Sequence, residues 1–240
     1  MVNKMKPENA LYLIPVTLGD VPPAMVLPAQ VFDVIRELDE FIVENARSAR
    51  RFLRKAGYER DFDEVTFHML NKHTAEGEAA SFVKSVKDGK PVGLLSEAGV
   101  PCLADPGAEV VKYCHTASIR IIPLTGPSSV ILALMASGFN GQNFAFHGYL
   151  PIETAALKSR IRELESAVIQ NEQTQIFIET PYRNNRLLKY LVSVCKPGTK
   201  LCVAAELTTK NEKVISASVS EWKKMPVDFH KKPAVFLLYR

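Results

Sequence analysis

No stretch of this 240-residue chain approaches the ~20 consecutive apolar residues that a membrane span requires; Ile131 to Ala136 is soon cut by Gly138. The opening residues Met1-Val2-Asn3-Lys4-Met5-Lys6 lack the apolar core of a secretory leader, so a cytoplasmic location without a membrane partner is expected. Cys102, Cys114, Cys195 and Cys202 form no C-x-x-C pair and lie in apolar neighbourhoods, which reads as reduced core thiols rather than zinc ligands. His68 and His73 miss the i, i+4 spacing of a helical metal pair, and His147 before Gly148 reads as a packing residue at a domain junction, so no metal is expected. There is no GxGxxG fingerprint, no phosphate-binding P-loop, no internal repeat and no low-complexity linker. The net charge of +4 is too mild to establish nucleic-acid binding by itself.

What the chain does carry is a polar turn between a strand and a Pro-Gly bend, Gly93 to Gly107, reading GLLSEAGVPCLADPG. Val92 to Leu95 is a short apolar run entered from a Gly-Pro-containing turn, hence a buried strand. The residues after it lie at a strand's carboxyl end, where open α/β sheets bind ligands. Gly99 would let the main chain approach a ligand closely, and Pro101 and Pro106 would stiffen the turn; a tight structural loop is the competing reading. Leu11 to Val16 runs into Thr17-Leu18-Gly19-Asp20 in the same way, and Ile119 to Leu124 ends in Thr125-Gly126-Pro127-Ser128-Ser129 ahead of a helix over Val130 to Ser137. Ser128 and Ser129 could meet a ligand there or cap the helix.

Apolar periodicity organises the rest. Helices are expected over Pro28–Leu38, Ser48–Ala56 and Glu76–Lys87, with strands over Phe41–Val43 and Val65–Met69, an alternation that makes a parallel sheet wrapped by helices. Later come helices over Leu157–Ile169 and Asn184–Val194 and strands over Gln175–Ile178, Leu201–Ala205, Lys213–Ala217 and Ala234–Tyr239. Late strands with little helix between them imply antiparallel pairs and a mixed second sheet. The expectation is an α/β protein of two α/β domains, a parallel-sheet domain over residues 1–122 and a mixed-sheet domain over 123–240; at 47% hydrophobic content both can bury a core. Arg47, Arg50, Arg51, Arg54 and Lys55 fall mostly on one helical face, either a phosphate-binding surface or a solvated one.

SEAGVPCLADPG, PLTGPSS, GYLP (Gly148 to Pro151) and YLIPVTLGD, in this order and spacing, resemble the ribosomal small-subunit methyltransferase I group of the tetrapyrrole (corrin/porphyrin) methylase superfamily, from about Leu11 to Leu238. The resemblance implies S-adenosylmethionine in a cleft between two α/β domains, a homodimer, and methylation of small-subunit ribosomal RNA at a ribose 2′-hydroxyl. Carried onto matching positions, it implies cofactor contacts at Pro15, Ser96, Glu97, Ala98, Gly99, Val100, Leu103, Ala104, Ser128, Ser129, Glu179, Thr180, Ala205, Glu206, Leu207, Pro233 and Ala234. Arg183 would bind substrate or cap the sheet. A 2′-hydroxyl must lose a proton, so Glu44 and Glu97 are the candidate bases and Arg47 the candidate phosphate contact.

The chain departs from that group at Glu44-Asn45-Ala46-Arg47, where the relatives read Glu-Asp-Thr-Arg, at Glu97, where they carry Asp, and at Asn71-Lys72-His73-Thr74-Ala75-Glu76, where the order of their His-Asn-Glu stretch is altered. Two alternatives therefore stand beside the leading function: methyl transfer to another acceptor such as a tetrapyrrole, and a non-catalytic RNA-binding or ribosome-assembly role on the same fold.

Overall fold

Short apolar runs, each followed by an amphipathic segment, build the first of two units, which divide after Ser128 in the computed structural model; residues 7–70 and 78–240 are described. Strands β1 (Leu11–Ile14), β2 (Glu40–Val43), β3 (Thr66–Met69), β4 (Val92–Leu95) and β5 (Ile121–Pro123) form one sheet in the order β3-β2-β4-β1-β5, every described pairing parallel. All residues of β2 and β4 are buried, as strands covered on both faces must be.

Successive side chains point to opposite faces and feed two cores. Tyr12, Ile14, Phe41 and Val43 pack with Val31 and Ile35 of α1 (Ala29–Glu37) and Leu53 of α2 (Ala46–Lys55). Leu11, Ile42 and Leu94 pack on the other side. They meet Phe82 of α3 (Glu78–Phe82), Val86 of α4 (Lys84–Lys87), and Val110 and Cys114 of α5 (Gly107–Thr116).

The connection after β1 crosses past β4 to reach β2, whereas the connection after β4 crosses past β1 to reach β5. The two crossovers leave in opposite directions, so the topological switch point lies between the carboxyl ends of β1 and β4, where open α/β sheets hold ligands.

The second unit opens with α6 (Ser129–Ser137) and carries β6 (Phe144–Tyr149), α7 (Thr154–Asn171), β7 (Thr174–Ile178), α8 (Asn184–Val194), β8 (Lys200–Ala205), β9 (Lys213–Ser218), α9 (Val219–Trp222) and β10 (Ala234–Tyr239). Its sheet runs β6-β7-β10-β8-β9, with β6 and β7 parallel and the other pairs antiparallel, the mixed sheet that the late strands imply. Leu157, Ile161 and Leu164 of α7 and Leu187 and Leu191 of α8 pack against Phe177 and Phe236 of the sheet. Trp222 closes that core with its indole N–H on the Leu201 carbonyl at 2.8 Å.

One expected helix is two. The segment read as Glu76–Lys87 breaks at Val83, whose φ of −110° and ψ of 13° leave the helical region. Residues 71–77, which carry the Asn71 to Glu76 stretch and His73, lie outside the described residues.

Candidate active site at the switch point of the parallel sheet

Three strand ends of the first unit pack on one another so tightly that two glycines are compulsory. A Cβ on Gly126 would fall 2.2 Å from Pro15 Cβ, and one on Gly99 would fall 2.8 Å from both Leu18 Cδ2 and the Pro127 carbonyl oxygen. The backbone of Gly99 is also left-handed, at φ 75°, and its carbonyl accepts the Val16 N–H at 2.9 Å and the Ser96 hydroxyl at 2.7 Å. The approach of the Leu18 and Pro127 loops by itself requires glycine at 99. Likewise Ser96 is buried with its hydroxyl bonded inside the turn, and Pro15 is buried.

The rest of the turn is held in a sparsely populated conformation. Cys102 and Ala104, neither of them glycine, sit at φ 67° and 65°. What holds them is Asp105, which the sequence reading passed over. Its carboxylate accepts the Cys102 N–H at 2.9 Å and the Gly107 N–H at 2.8 Å. Val100 and Asp105 are half-buried, while Glu97, Ala98, Leu103 and Ala104 are exposed. The turn therefore presents one carboxylate and a small apolar wall.

Glu44 follows β2, next to β4 in the sheet, near enough to Glu97 for its carboxylate to feel both the Glu97 charge and the Glu97 N–H. The two candidate bases are thus brought together. Burial pushes the Glu44 carboxyl above its ordinary range, and the negative charges of Asp105 and Glu97 add to the rise. Burial raises Asp105 as well, against the two N–H groups that oppose it. Asn45, which stands where the relatives carry Asp, is the N-cap of α2: its Oδ1 accepts the N–H of Arg47 at 2.9 Å and of Ser48 at 3.2 Å. The cap starts the helix at Ala46 rather than Ser48. It also places the Ser48 hydroxyl 2.7 Å from Glu97 Oε1 and 2.9 Å from Oε2.

The basic run along α2 divides into two edges. Arg50 lies over the Phe67 ring at 5.1 Å, and Arg54 lies over Phe62 at 4.0 Å while donating to the Tyr58 carbonyl at 2.7 Å. These two are occupied by packing, as cation–π contacts occupy them. Arg51 and Lys55 instead join Ser48, Asp20 and Glu97 around a cavity of ≈ 430 Å³ at the ends of β1 and β4, and Lys55 is paired with Asp20. Arg47 is exposed and, among the described residues, makes no side-chain hydrogen bond or ion pair.

In the second unit, Glu179 is committed to its own turn. Its Oε1 accepts the Thr180 N–H at 2.6 Å and the Arg183 guanidinium at 2.9 and 2.5 Å, so Arg183 is a partner of that carboxylate. Ala205 pairs with Ala234 across β8 and β10, and both are buried, as is Leu207. Thr180 and Glu206 are half-buried and Pro233 is exposed. Glu206 is left-handed at φ 53° and paired with Lys232 at 3.6 Å. Ser128 immediately precedes α6 and Ser129 is its first residue.

Cys114, Cys195 and Cys202 are buried free thiols, and burial pushes Cys102 up to about 12, with Asp105 adding to it, which suits packing rather than nucleophilic work. His147 packs inside the second unit, its Nε2 2.7 Å from Gln175 Oε1 and its Nδ1 3.0 Å from Arg160, and burial lowers its pKa. No group of three or more metal-binding side chains occurs among the described residues.

Residues 11–223 match the family described as Tetrapyrrole (Corrin/Porphyrin) Methylases. Ribosomal RNA small subunit methyltransferase I of Vibrio cholerae is 30% identical over 221 residues, 91% of this chain and 73% of that protein. The enzyme of the same name from Bacillus subtilis is 30% identical over 211 residues, 88% of this chain and 68% of its own. Among solved structures, the methyltransferase CobJ superposes with a TM-score of 0.64 at 15% identity, covering 96% of this chain and 94% of that one. A uroporphyrin-III C-methyltransferase from Thermus thermophilus, complexed with S-adenosyl homocysteine, gives 0.57 at 15% identity over 96% of this chain and 97% of that one. With a family match over nearly the whole sequence and a 30% identical relative aligned over 91% of it, the chain belongs to the tetrapyrrole (corrin/porphyrin) methylases.

Proposed function

We propose that this chain is an S-adenosylmethionine-dependent methyltransferase of small-subunit ribosomal RNA and that its acceptor is a ribose 2′-hydroxyl. The observation that carries the reading is the meeting of Glu44 and Glu97 at the switch point, in a chain 30% identical over 221 residues to a ribosomal RNA small subunit methyltransferase I. A tetrapyrrole acceptor and a non-catalytic role are not favoured, because the curated relatives are RNA methyltransferases.

The turn after β4 fits the cofactor. Ala98, Leu103 and Ala104 give a nucleoside and a thioether an exposed apolar wall on a left-handed turn. The carboxylate of Glu97 suits a positive sulfonium. Val100, Ser128, Ser129, Thr180, Glu206 and Pro233 are proposed as further contacts. Pro15, Ser96, Gly99, Glu179, Ala205, Leu207 and Ala234 are proposed to act by shaping the loops or through the backbone.

When bound, S-adenosylmethionine supplies an electrophilic methyl group on a positively charged sulfur. Glu44 takes the proton of the acceptor hydroxyl as that oxygen bonds the methyl carbon; the electrons of the broken sulfur–carbon bond stay on sulfur, leaving a neutral thioether. Its raised pKa makes the ionised Glu44 a stronger base than an ordinary carboxylate. Ser48 fixes the Glu97 carboxylate beside it, and Arg47 takes a flanking phosphate. Alignment of this kind can supply about 7–11 kcal/mol of rate enhancement in the best cases.

The chain is further proposed to act in the cytoplasm as a homodimer, which the family resemblance and the exposed apolar side chains of Met135 and Ile152 support. No described helix is long and apolar enough to cross a membrane. The test is transfer of a labelled methyl group to unmethylated small-subunit RNA, followed by alkaline hydrolysis. Label retained in an alkali-resistant dinucleotide is expected; label on a base, or none in RNA, overturns the reading.

A further inference from the structure

The ≈ 430 Å³ cavity of the first unit has a chemical polarity that the methyl-transfer reading leaves unexplained. One end carries Ser48 and Glu97, a hydroxyl and a carboxylate already bonded to each other. The other carries Arg51 and Lys55. Ser48, Arg51 and Lys55 share a face of α2, and at 1.5 Å per residue Arg51 stands about 4.5 Å and Lys55 about 10 Å along the axis from Ser48. A nucleotide has the complementary polarity, since sugar hydroxyls donate to a carboxylate and phosphates accept from a guanidinium and an ammonium. The volume lies near the lower end of the ~300–1,000 Å³ of small-ligand sites, room for one extruded nucleotide rather than a paired segment.

The basic end is also available. Among the described residues Arg51 makes no hydrogen bond or close ion pair, though its charge acts on Asp20 from a distance, and the Lys55–Asp20 pair is exposed at 47% and 90% of its two side chains. Exposed pairs of this kind are weak and screened by salt, so a polyanion can displace Asp20. Arg50 and Arg54, on the same helix, are turned onto aromatic rings.

We propose that this cavity is the acceptor-nucleotide subsite, with Arg51 and Lys55 clamping the phosphate, Asp20 standing in for that phosphate until RNA arrives, and Ser48 with Glu97 receiving the sugar. The assignment rests on the reading of the chain as an RNA methyltransferase.

The test uses the full chain, S-adenosylmethionine, and unmethylated small-subunit RNA as the acceptor. Arg51→Ala and Lys55→Ala should each raise the KM for RNA about tenfold, leave the calorimetric Kd for S-adenosylmethionine unchanged, and lower the slope of log affinity against log salt by about one. Asp20→Asn should lower the KM for RNA at low salt by releasing Lys55. Arg50→Gln, which removes equal charge from the same helix, should change the KM less than twofold. Equal loss in Arg50→Gln and Arg51→Ala overturns the subsite in favour of diffuse surface charge, and a weakened Kd for S-adenosylmethionine in Arg51→Ala or Lys55→Ala overturns it in favour of a cofactor pocket. Wild-type kinetics in both variants also overturn it while leaving the RNA reading intact, whereas a wild-type chain that methylates no RNA overturns the RNA reading itself.

Discussion

Both carboxylate oxygens of Asp105 lie 2.9 Å from the backbone nitrogen of Cys102, and the same carboxylate takes the Gly107 N–H at 2.8 Å. A side chain three residues away thereby holds Cys102 and Ala104 left-handed, conformations that cost of order 1–3 kcal/mol each and persist only when their surroundings over-determine them. The exposed Leu103 lies between them.

Removing that carboxylate should therefore release the turn. Asp105→Ala leaves two N–H donors unpaired in a half-buried site, and about 1–3 kcal/mol of stability should be lost in urea unfolding. Asp105→Asn keeps Oδ1, which accepts both N–H groups, and should lose clearly less. Equal losses would mean that the bonds to Cys102 and Gly107 do not hold the turn.

Gly99→Ala meets two obstacles at once, a left-handed φ of 75° and a backbone oxygen 2.8 Å from the new methyl group. Gly57→Ala, in the same unit, meets only the first: φ is 80° and nothing lies within 4 Å. Gly57→Ala should cost roughly 1 kcal/mol and Gly99→Ala distinctly more, read as the drop in thermal midpoint. Similar drops would show that the Leu18 and Pro127 loops yield without cost.

Periodicity made β4, α8 and β10 legible to the residue, because their apolar residues sit between clear turn signals. It passed over α5, whose start at Gly107 follows the Asp-Pro-Gly bend, and it merged α3 with α4 because a backbone break at Val83 leaves no mark on side-chain pattern. The meeting of Glu44 and Glu97 depends on β2 pairing with β4, a long-range fact that no local pattern encodes. The supporting residues did leave a signal. An Asn just ahead of a helical run reads as an N-cap, and an Asp before Pro-Gly reads as a turn that bonds its own backbone. Ser48 had none, since its role needs both the cap at Asn45 and the arrival of Glu97.

The cap gives a separate test. Asn45→Ala should destabilise the chain by about 1 kcal/mol and fray the first turn of α2, whereas Asn45→Asp, the residue of the relatives, still accepts both N–H groups and should not. Amide hydrogen exchange at Arg47 and Ser48 reads the fraying directly. Unchanged protection in Asn45→Ala would show that Ser48 and Glu97 hold the helix start without the cap.

The charge state of Glu44 links stability and turnover with opposite signs. Its folded pKa lies above that of an ordinary glutamate, so the folded chain binds the proton more tightly than the unfolded chain does. That stabilisation is complete below the unfolded pKa and is lost as pH rises through the folded one; stability should fall across the window just above the ordinary carboxylate range, and Glu44→Gln should flatten the fall. Turnover runs the other way, because only the ionised carboxylate accepts a proton, so the acid limb of kcat/KM should lie above the ordinary carboxylate range. Asp105 contributes to the rise by its negative charge, so Asp105→Asn should move that limb to lower pH with Glu44 untouched. Glu44→Gln should lower kcat by 10²–10⁴-fold, the usual worth of a general base, with the S-adenosylmethionine Kd unchanged. An acid limb that ignores Asp105→Asn would move the base away from Glu44, most directly onto Glu97, which Ser48 holds in place.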